Sequence, residues 1–558
     1  MNYRDEYGHW LAQVTDEELL DQLKKMNDAE IEDAFYKDLE FGTAGLRGVI
    51  GPGSNRMNRY VVARASQGIA NYLNANKPKR GKPSVVIGYD SRIKSDFFAF
   101  VASAVFAAND IQVHLWPSLL PVPTVSYAVR YLGASAGIMI TASHNPSKYN
   151  GYKVYGPDGC QITTEAADTI LAEIEKLDLF LDVKMADFNV SVMETGMIKY
   201  IDPVVLTSFI EEVKGQSVLY GDKIDRNVAI VYSPLNGTGL VPVTRALEEC
   251  GFTNITVVEE QRNPDGNFPT CPYPNPEIRE AMKLGLEYCD KTGADLLLAT
   301  DPDADRCGIA VKDGKGYRLL TGNETGLLLL DFICSQRTKH GKMPKNPVFV
   351  KTVVTMDLAE KIASSYGVKT VNVLTGFKFI GEVIARLEKE GRVNDYILGF
   401  EESYGYLTGS YVRDKDAVDA ALMICEMFAY YKTRGISLLD KLNELYATYG
   451  YCMNTLHSYE FEGSAGMARM AEIMKLFHAG LSQIGSWDVI KTVDYTKGID
   501  GLPKADVLKF YTSFGSVVIR PSGTEPKLKA YISVTAKNRE EAEEIEKVVA
   551  AELEKLIG

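Results

Sequence analysis

Four short stretches of this sequence hold residue types whose spacing supports chemistry. The first is Thr141-Ala-Ser-His-Asn-Pro-Ser-Lys-Tyr-Asn-Gly-Tyr-Lys153, which follows the apolar run Ala136–Ile140. That run reads as a buried strand. Pro146 and the Asn150-Gly151 pair read as a loop, since proline fixes φ and Asn-Gly favours a tight turn. Ser143 then stands at the exposed end of a strand beside His144, with Lys153 further along. An ordinary loop serine looks the same, so a Ser-His pair becomes a nucleophile candidate only in company.

The second stretch, Asp295-Leu-Leu-Leu-Ala-Thr-Asp-Pro-Asp-Ala-Asp-Arg306, follows an apolar strand with Asp301, Asp303 and Asp305 at spacing two. Alternate residues of an extended chain share a face, which predicts that the three carboxylates converge; Pro302 favours extension of the residue before it. Three close carboxylates call for a hard cation, and oxygen ligands with room for phosphate point to Mg²⁺. A calcium loop of the EF-hand type fails, because Arg306 stands where glycine is needed and Lys312 where glutamate is needed. A solvated acidic turn would not normally follow four apolar residues. Arg306 sets a cation beside the metal, which suits an anion bridging them.

The third stretch, Gly399-Phe-Glu-Glu-Ser-Tyr-Gly405, reads as a glycine-bounded loop whose carboxylates and hydroxyl suit vicinal sugar hydroxyls. Thr375-Gly-Phe-Lys378 and Arg413-Asp-Lys-Asp416 lie on either side and supply cations; Lys415 reads equally as a proton shuttle or as a salt-bridged lysine. The fourth, Arg520-Pro-Ser-Gly-Thr-Glu-Pro-Lys527, sits between two β-rich runs and combines a guanidinium with short hydroxyl and amide donors, the parts of a phosphate clamp. Phe41-Gly-Thr-Ala-Gly-Leu-Arg-Gly48 places Arg47 among glycines, either as a plain turn or near an anion. Nucleotide and dinucleotide loops are missing, as is a G-x-S-x-G elbow.

The elements that must position these residues repeat. Val85–Arg92, Val228–Gly239 and Val348–Val354 each open about a hundred residues of alternating strand and helix signals, which predicts mainly parallel sheets flanked by helices. The expected fold is α/β: three related α/β domains with mixed, mostly parallel sheets, then a C-terminal α+β domain, around a central cleft. The expected units are 1–205, 206–320, 321–440 and 441–558. Thr15-Asp-Glu-Glu18 has the form of a capping box for an N-terminal helix. The last helix places Ala542, Ile545, Val549, Leu553 and Leu556 on one face.

Composition narrows the function classes. The 558 residues are 46% hydrophobic and 24% charged, ordinary for a globular chain of several domains. The net charge of −13, without a Lys/Arg run, argues against nucleic acid, and no apolar stretch is long enough for a membrane. Eight scattered cysteines without a C-x-x-C pair fit a reducing cytoplasm. An acidic protein that handles an anion must gather its cations in one cleft.

With the four stretches in this order, the chain closely resembles the α-D-phosphohexomutase superfamily. Thr141–Pro146, Asp301–Arg306, Glu401–Ser403 and Arg520–Thr524 match one motif from each of that family's four domains. The resemblance implies a phosphorylated Ser143, one Mg²⁺ per chain on Asp301, Asp303 and Asp305 with a phosphoserine oxygen, and Arg47 and Lys153 flanking the transfer site. His144 and Lys415 join them as catalytic candidates. Glu401 and Ser403 would hold sugar hydroxyls, with Arg306, Thr375, Gly376 and Lys378 nearby, and Arg520, Ser522, Gly523 and Thr524 would grip the phosphate that is not transferred. The implied reaction passes through a 1,6-bisphosphate that turns over in the cleft, which leads to an expected clamp on a mobile fourth domain. Phe41–Gly48, Thr375–Phe379 and Glu-Glu-Ser look like the branch that includes bacterial α-phosphoglucomutases, so glucose 1-phosphate and glucose 6-phosphate are the expected pair and glucose 1,6-bisphosphate the activator. Pentose or mannose phosphates, a silent sugar-phosphate sensor and a Mg²⁺-dependent phosphatase are the rivals. A monomer or homodimer is expected.

Overall fold

The computed structural model describes residues 2–42, 45–79, 81–461, 463–522 and 527–558. The first three units share one parallel core. In each, the third strand of a repeating set lies beside the first, and the first beside the second: Ala136–Ile140, Ser84–Tyr89 and Gln112–Leu115; Leu296–Thr300, Ile230–Ser233 and Ile255–Val257; Tyr396–Glu401, Val348–Thr352 and Lys369–Val373. Every third strand is then paired antiparallel with the strand that follows it, Tyr149–Tyr155, Cys307–Asp313 or Gly405–Leu407. Sheets of this kind bind ligands outside the carboxyl ends of their strands. Ser143, Asp301–Asp305 and Glu402–Ser403 all fall in the turn between third strand and return strand, so the same place in three repeated units bears residues singled out in the sequence.

The fourth unit is a five-stranded sheet with antiparallel pairing throughout, ordered Tyr451–Glu460, Lys527–Ala536, Gly515–Pro521, Leu508–Thr512, Lys491–Asp494. Helices Gly463–His478 and Arg539–Ile557 contribute to the apolar core on one of its faces, where Ala542, Val549 and Leu553 are buried and Ile545 and Leu556 pack at the margin. The other face sends Val507, Val518 and Tyr531 into a core that runs continuously through the third and second units to the helix Val122–Leu132 of the first. That shared core fixes how the three carboxyl-end turns and the sheet of the fourth unit face one another. Among the described residues no helix is long and apolar enough to cross a membrane.

Two local expectations change. Asn150-Gly151 is not a turn but part of the strand Tyr149–Tyr155, paired on both sides. Glycine is needed there because a Cβ would lie 2.5 Å from the Thr141 carbonyl oxygen and 2.8 Å from that of Leu46, while Asn150 donates to Ser95 Oγ at 3.0 Å. The N-terminal helix Glu17–Lys25 is capped by Asp16, whose carboxylate accepts from the Leu19 amide at 3.1 Å; the Thr15 hydroxyl instead meets Tyr60 Oη at 3.3 Å. One residue of offset suffices, since either side chain suits an N-cap.

Candidate active site

The buried strand Ala136–Ile140 ends in a loop that holds Ser143 at φ +53°, a left-handed conformation that costs a non-glycine residue about 1–3 kcal/mol. The surroundings enforce it. The Ser143 amide donates to Thr141 Oγ1 at 2.9 Å. Arg92, fully buried, donates to the carbonyl oxygens of Ser143, Asn145, Pro146 and Tyr149, with its charge backed by Asp90 at 3.4 Å. In this conformation Ser143 Oγ donates to Asp301 Oδ2 at 2.9 Å and lies 3.1 Å from His144 Nδ1. Burial, then Arg306 and Arg47, hold the His144 pKa well below the usual imidazole value, so the ring is neutral.

The three aspartates converge, but not by extended alternation. The strand stops at Thr300, and Asp301 begins a tight turn in which Ala304 takes φ +48° and the amides of Asp305 and Arg306 donate back to Asp301 Oδ1 at 3.1 and 3.0 Å. One oxygen from each carboxylate lies within 4.8 Å of the others. Lys153 Nζ reaches Asp303 at 2.9 Å and Asp305 at 3.3 Å, Lys415 Nζ reaches Asp305 at 3.0 Å, and Thr141 Oγ1 donates to Asp303 at 3.1 Å. Asp303 Oδ1 and Asp305 Oδ1 are nevertheless buried without a hydrogen-bond donor. Burial and the charges of Asp303 and Asp305 push the Asp301 carboxyl well up. A donor set made only of oxygen, with two orphaned carboxylate atoms and an excess of negative charge, fits a hard divalent cation.

Cations ring the triad. Burial works against the charge of Arg306, but Glu277, Asp305 and Asp301 outweigh it and raise its pKa; Asp305, Asp414 and Glu401 do the same for Lys415. Lys415 is thus a salt-bridged, protonated lysine in this state. Asp414 in turn accepts from Tyr155 Oη and Gln161 Nε2, each at 2.9 Å, tying the third unit to the first.

Glu401 ends its strand and accepts from the Gly376 amide at 2.9 Å; burial, opposed by Lys415, pushes its carboxyl up to about 7. Ser403 and Tyr404 turn the chain, the latter at φ +64°. Arg520, on the strand Gly515–Pro521, donates to Thr375 Oγ1 at 2.7 Å and so joins the fourth unit to the third.

All four units open on one cleft of about 550 Å³. Arg47, Ser143, His144, Lys153, Asp305, Arg306, Thr375, Gly376, Glu401, Ser403, Lys415 and Arg520 line it; Asp301 and Asp303 lie just beneath. Lys378 does not line it, and its ammonium sits over the Phe379 ring at 4.7 Å. Ser522 is not among the lining residues and donates its amide to the Lys527 carbonyl at 2.7 Å, while Gly523 and Thr524 lie outside the described residues. Sequence reasoning missed Arg92 and Glu277. Asp90-Ser-Arg92 at a strand end was the available signal for the first; Glu277 has none, since it enters from a separate loop.

Comparison with known proteins agrees with this architecture. Models of phosphoglucomutase/phosphomannomutase match in order: alpha/beta/alpha domain I over residues 38–180, domain II over 207–315, domain III over 321–449 and the C-terminal domain over 463–552. A phosphoglucomutase of Staphylococcus saprophyticus is 36% identical over 546 residues, covering 95% of this chain and 97% of its own. One from Staphylococcus aureus is 35% identical over 543 residues, covering 95% of each. Among solved structures, the exocytosis-sensitive phosphoprotein parafusin from Paramecium, in its open form, superposes with a TM-score of 0.70 at 20% identity, covering 94% of this chain and 97% of that one. A phosphoglucomutase/phosphomannomutase family protein from Burkholderia thailandensis gives 0.69 at 19%, covering 92% and 97%. With its three repeated α/β units, its closing antiparallel unit and four matched domains in sequence, this chain belongs to the phosphoglucomutase/phosphomannomutase family.

Proposed function

We propose that this chain interconverts α-D-glucose 1-phosphate and glucose 6-phosphate, with Ser143 carrying the phosphoryl group between turnovers. The observation that carries the reading is one cleft that joins Ser143 Oγ, 2.9 Å from a buried carboxylate triad, to Glu401 and to Arg520 of the fourth unit. Relatives at 35–36% identity that are phosphoglucomutases support a hexose phosphate as substrate.

In this reading Arg520 grips the phosphate that is not being transferred in a given step, and Glu401 and Ser403 orient the sugar hydroxyls. The Ser143 Oγ–P bond breaks as a P–O bond forms to the free sugar hydroxyl oxygen; that hydroxyl gives up its proton and the departing Ser143 Oγ takes one up, so no net proton is gained or lost. The bisphosphate turns over and returns its other phosphoryl group to Ser143. Arg47, Lys153 and Lys415 meet the charge that spreads over the phosphoryl oxygens, which is the larger part of catalysis for such transfers. Neutral His144 orients Oγ. Mg²⁺, held by Asp301, Asp303 and Asp305, would supply further charge neutralisation at the same oxygens.

Intact mass before and after incubation with glucose 1,6-bisphosphate tests the reading. One added phosphoryl group is expected on the native chain and none on Ser143→Ala, which also loses turnover. Multiple turnover by Ser143→Ala sinks the phosphoserine role. A higher kcat/KM for ribose 1-phosphate than for glucose 1-phosphate overturns the sugar, and accumulation of inorganic phosphate in place of isomerised ester overturns the reaction.

A further inference from the structure

Behind the cleft, a second cluster of buried charges joins the third and fourth units. Lys509, on the strand Leu508–Thr512, donates to Asp357 Oδ1 at 2.7 Å and to the Val353 carbonyl at 3.0 Å. Ser516, on the neighbouring strand Gly515–Pro521, donates to Asp357 Oδ2 at 2.7 Å. Lys351 approaches from below, reaching Asp357 at 3.3 Å, Glu360 at 3.1 Å and the Thr355 carbonyl at 3.0 Å. Lys351, Lys509 and Ser516 are each at most 2% exposed. None of these groups lines the cleft.

Two features connect the cluster to the site. Ser516 and Arg520 are four residues apart on one strand, and so on the same face. Lys509 pairs across to Val518, which lies between them. Asp357 therefore grips the root of the strand whose far end presents Arg520. The short segment from Thr352 to Asp357 faces the other way as well: Thr352 Oγ1 and Thr355 Oγ1 lie 3.2 and 3.1 Å from Glu402 Oε2, next to Glu401. One segment thus holds both the sugar turn and the strand of the phosphate clamp.

We propose that Asp357, with Lys509 and Ser516, is a positioning latch that sets the distance between the clamp arginine and the sugar turn. Its kinetic consequences rest on the mutase reading above; the mechanical coupling does not. Lys509→Met leaves Asp357 paired with Lys351, so the fold has no stranded carboxylate, and Ser516→Ala is the milder second variant. In each, KM for glucose 1-phosphate rises, by about tenfold for Lys509→Met, with kcat changed far less, because the latch acts on the phosphate that is not being transferred in that step. In an Arg520→Ala background the same changes add little, since their route to the substrate is already cut. In the free protein, amides of 508–521 exchange with deuterium faster in both variants, while 136–140 is unaffected. Unchanged exchange across 508–521 in both variants overturns the latch, and so do KM effects that multiply with that of Arg520→Ala. If the native chain fails to isomerise glucose 1-phosphate, the functional reading falls while the exchange experiment still decides the latch.

Discussion

Gly237→Ala is a sharp test of how the turn bearing the three aspartates is held. Gly237 lies in the turn after the strand Ile230–Ser233, behind Leu235 and Asn236, both at positive φ. The next residue binds the aspartate turn directly: the Thr238 amide and hydroxyl donate to the Pro302 carbonyl at 2.8 and 3.0 Å. A Cβ at Gly237 would lie 2.4 Å from Pro302 Cα, 2.6 Å from its carbonyl oxygen and 2.8 Å from its carbonyl carbon. These are backbone atoms, so no side-chain rotation relieves the clash. Opening the 2.4 Å contact to the 3.4 Å of ordinary contact needs a shift of about 1 Å between the turns, several times the ±0.2 Å tolerance of metal–ligand distances. Overpacking of this kind costs about 1–3 kcal/mol of stability, and a displacement of about 1 Å at a transfer site costs up to ~10²-fold in rate. Mg²⁺ binding by calorimetry and the Mg²⁺ dependence of kcat, alongside thermal unfolding, measure the effect. Weaker Mg²⁺ binding and a lower kcat are expected. A folded variant with native Mg²⁺ affinity and native kcat would refute the idea that contact with the 234–239 turn positions the three aspartates.

Gly8→Ala is the matching control: Gly8 lies inside the helix Tyr3–Gln13 with nothing within 4 Å of the added Cβ, so thermal unfolding should show a gain of about 0.4–1 kcal/mol and kinetics no change. Arg92→Ala removes the donor that holds four carbonyls of the serine loop and leaves Asp90 buried without its cation; a loss of about 3–5 kcal/mol in denaturant unfolding is expected, with part recovered by adding Asp90→Asn. Burial pushes the Glu426 carboxyl up to about 7, with Ser217 Oγ its donor at 2.9 Å. The folded chain keeps that proton to higher pH than the unfolded one, so the group's contribution is most favourable at low pH and is lost as pH rises from the ordinary glutamate range through about 7. Calorimetric unfolding between pH 5 and pH 8 should therefore show a smaller fall in stability for Glu426→Gln than for the native chain. Equal falls would reject the buried-acid account.

The candidate groups were legible in the sequence because each lies in a short contiguous stretch whose chemistry is local. Ser143 after an apolar run, three aspartates at spacing two and an arginine amid hydroxyls are visible without coordinates. The strand alternation that made three related α/β units was equally local, and the sheets carry it. Where purely local rules were pushed further, they gave way. Asn150-Gly151 reads as a turn by type, but the pairing of Tyr149–Tyr155 with strands on both sides puts it inside a sheet, where glycine answers backbone crowding. The aspartates converge through a left-handed Ala304 and amide donors, which spacing cannot distinguish from an extended run.

What the sequence by itself determined is which groups are present and which strand ends bear them. The tertiary structure alone decided which groups meet: Ser143 with Asp301 across 158 positions, Lys153 with Asp303 across 150, and Arg520 with Thr375 across 145. It also decided that Lys378 turns aside and that Arg92 secures the serine loop. The physical reason is that propensity and capping act over a few residues, whereas a shared apolar core sets the mutual orientation of whole units. A buried charge finds its partner only once that core has excluded water.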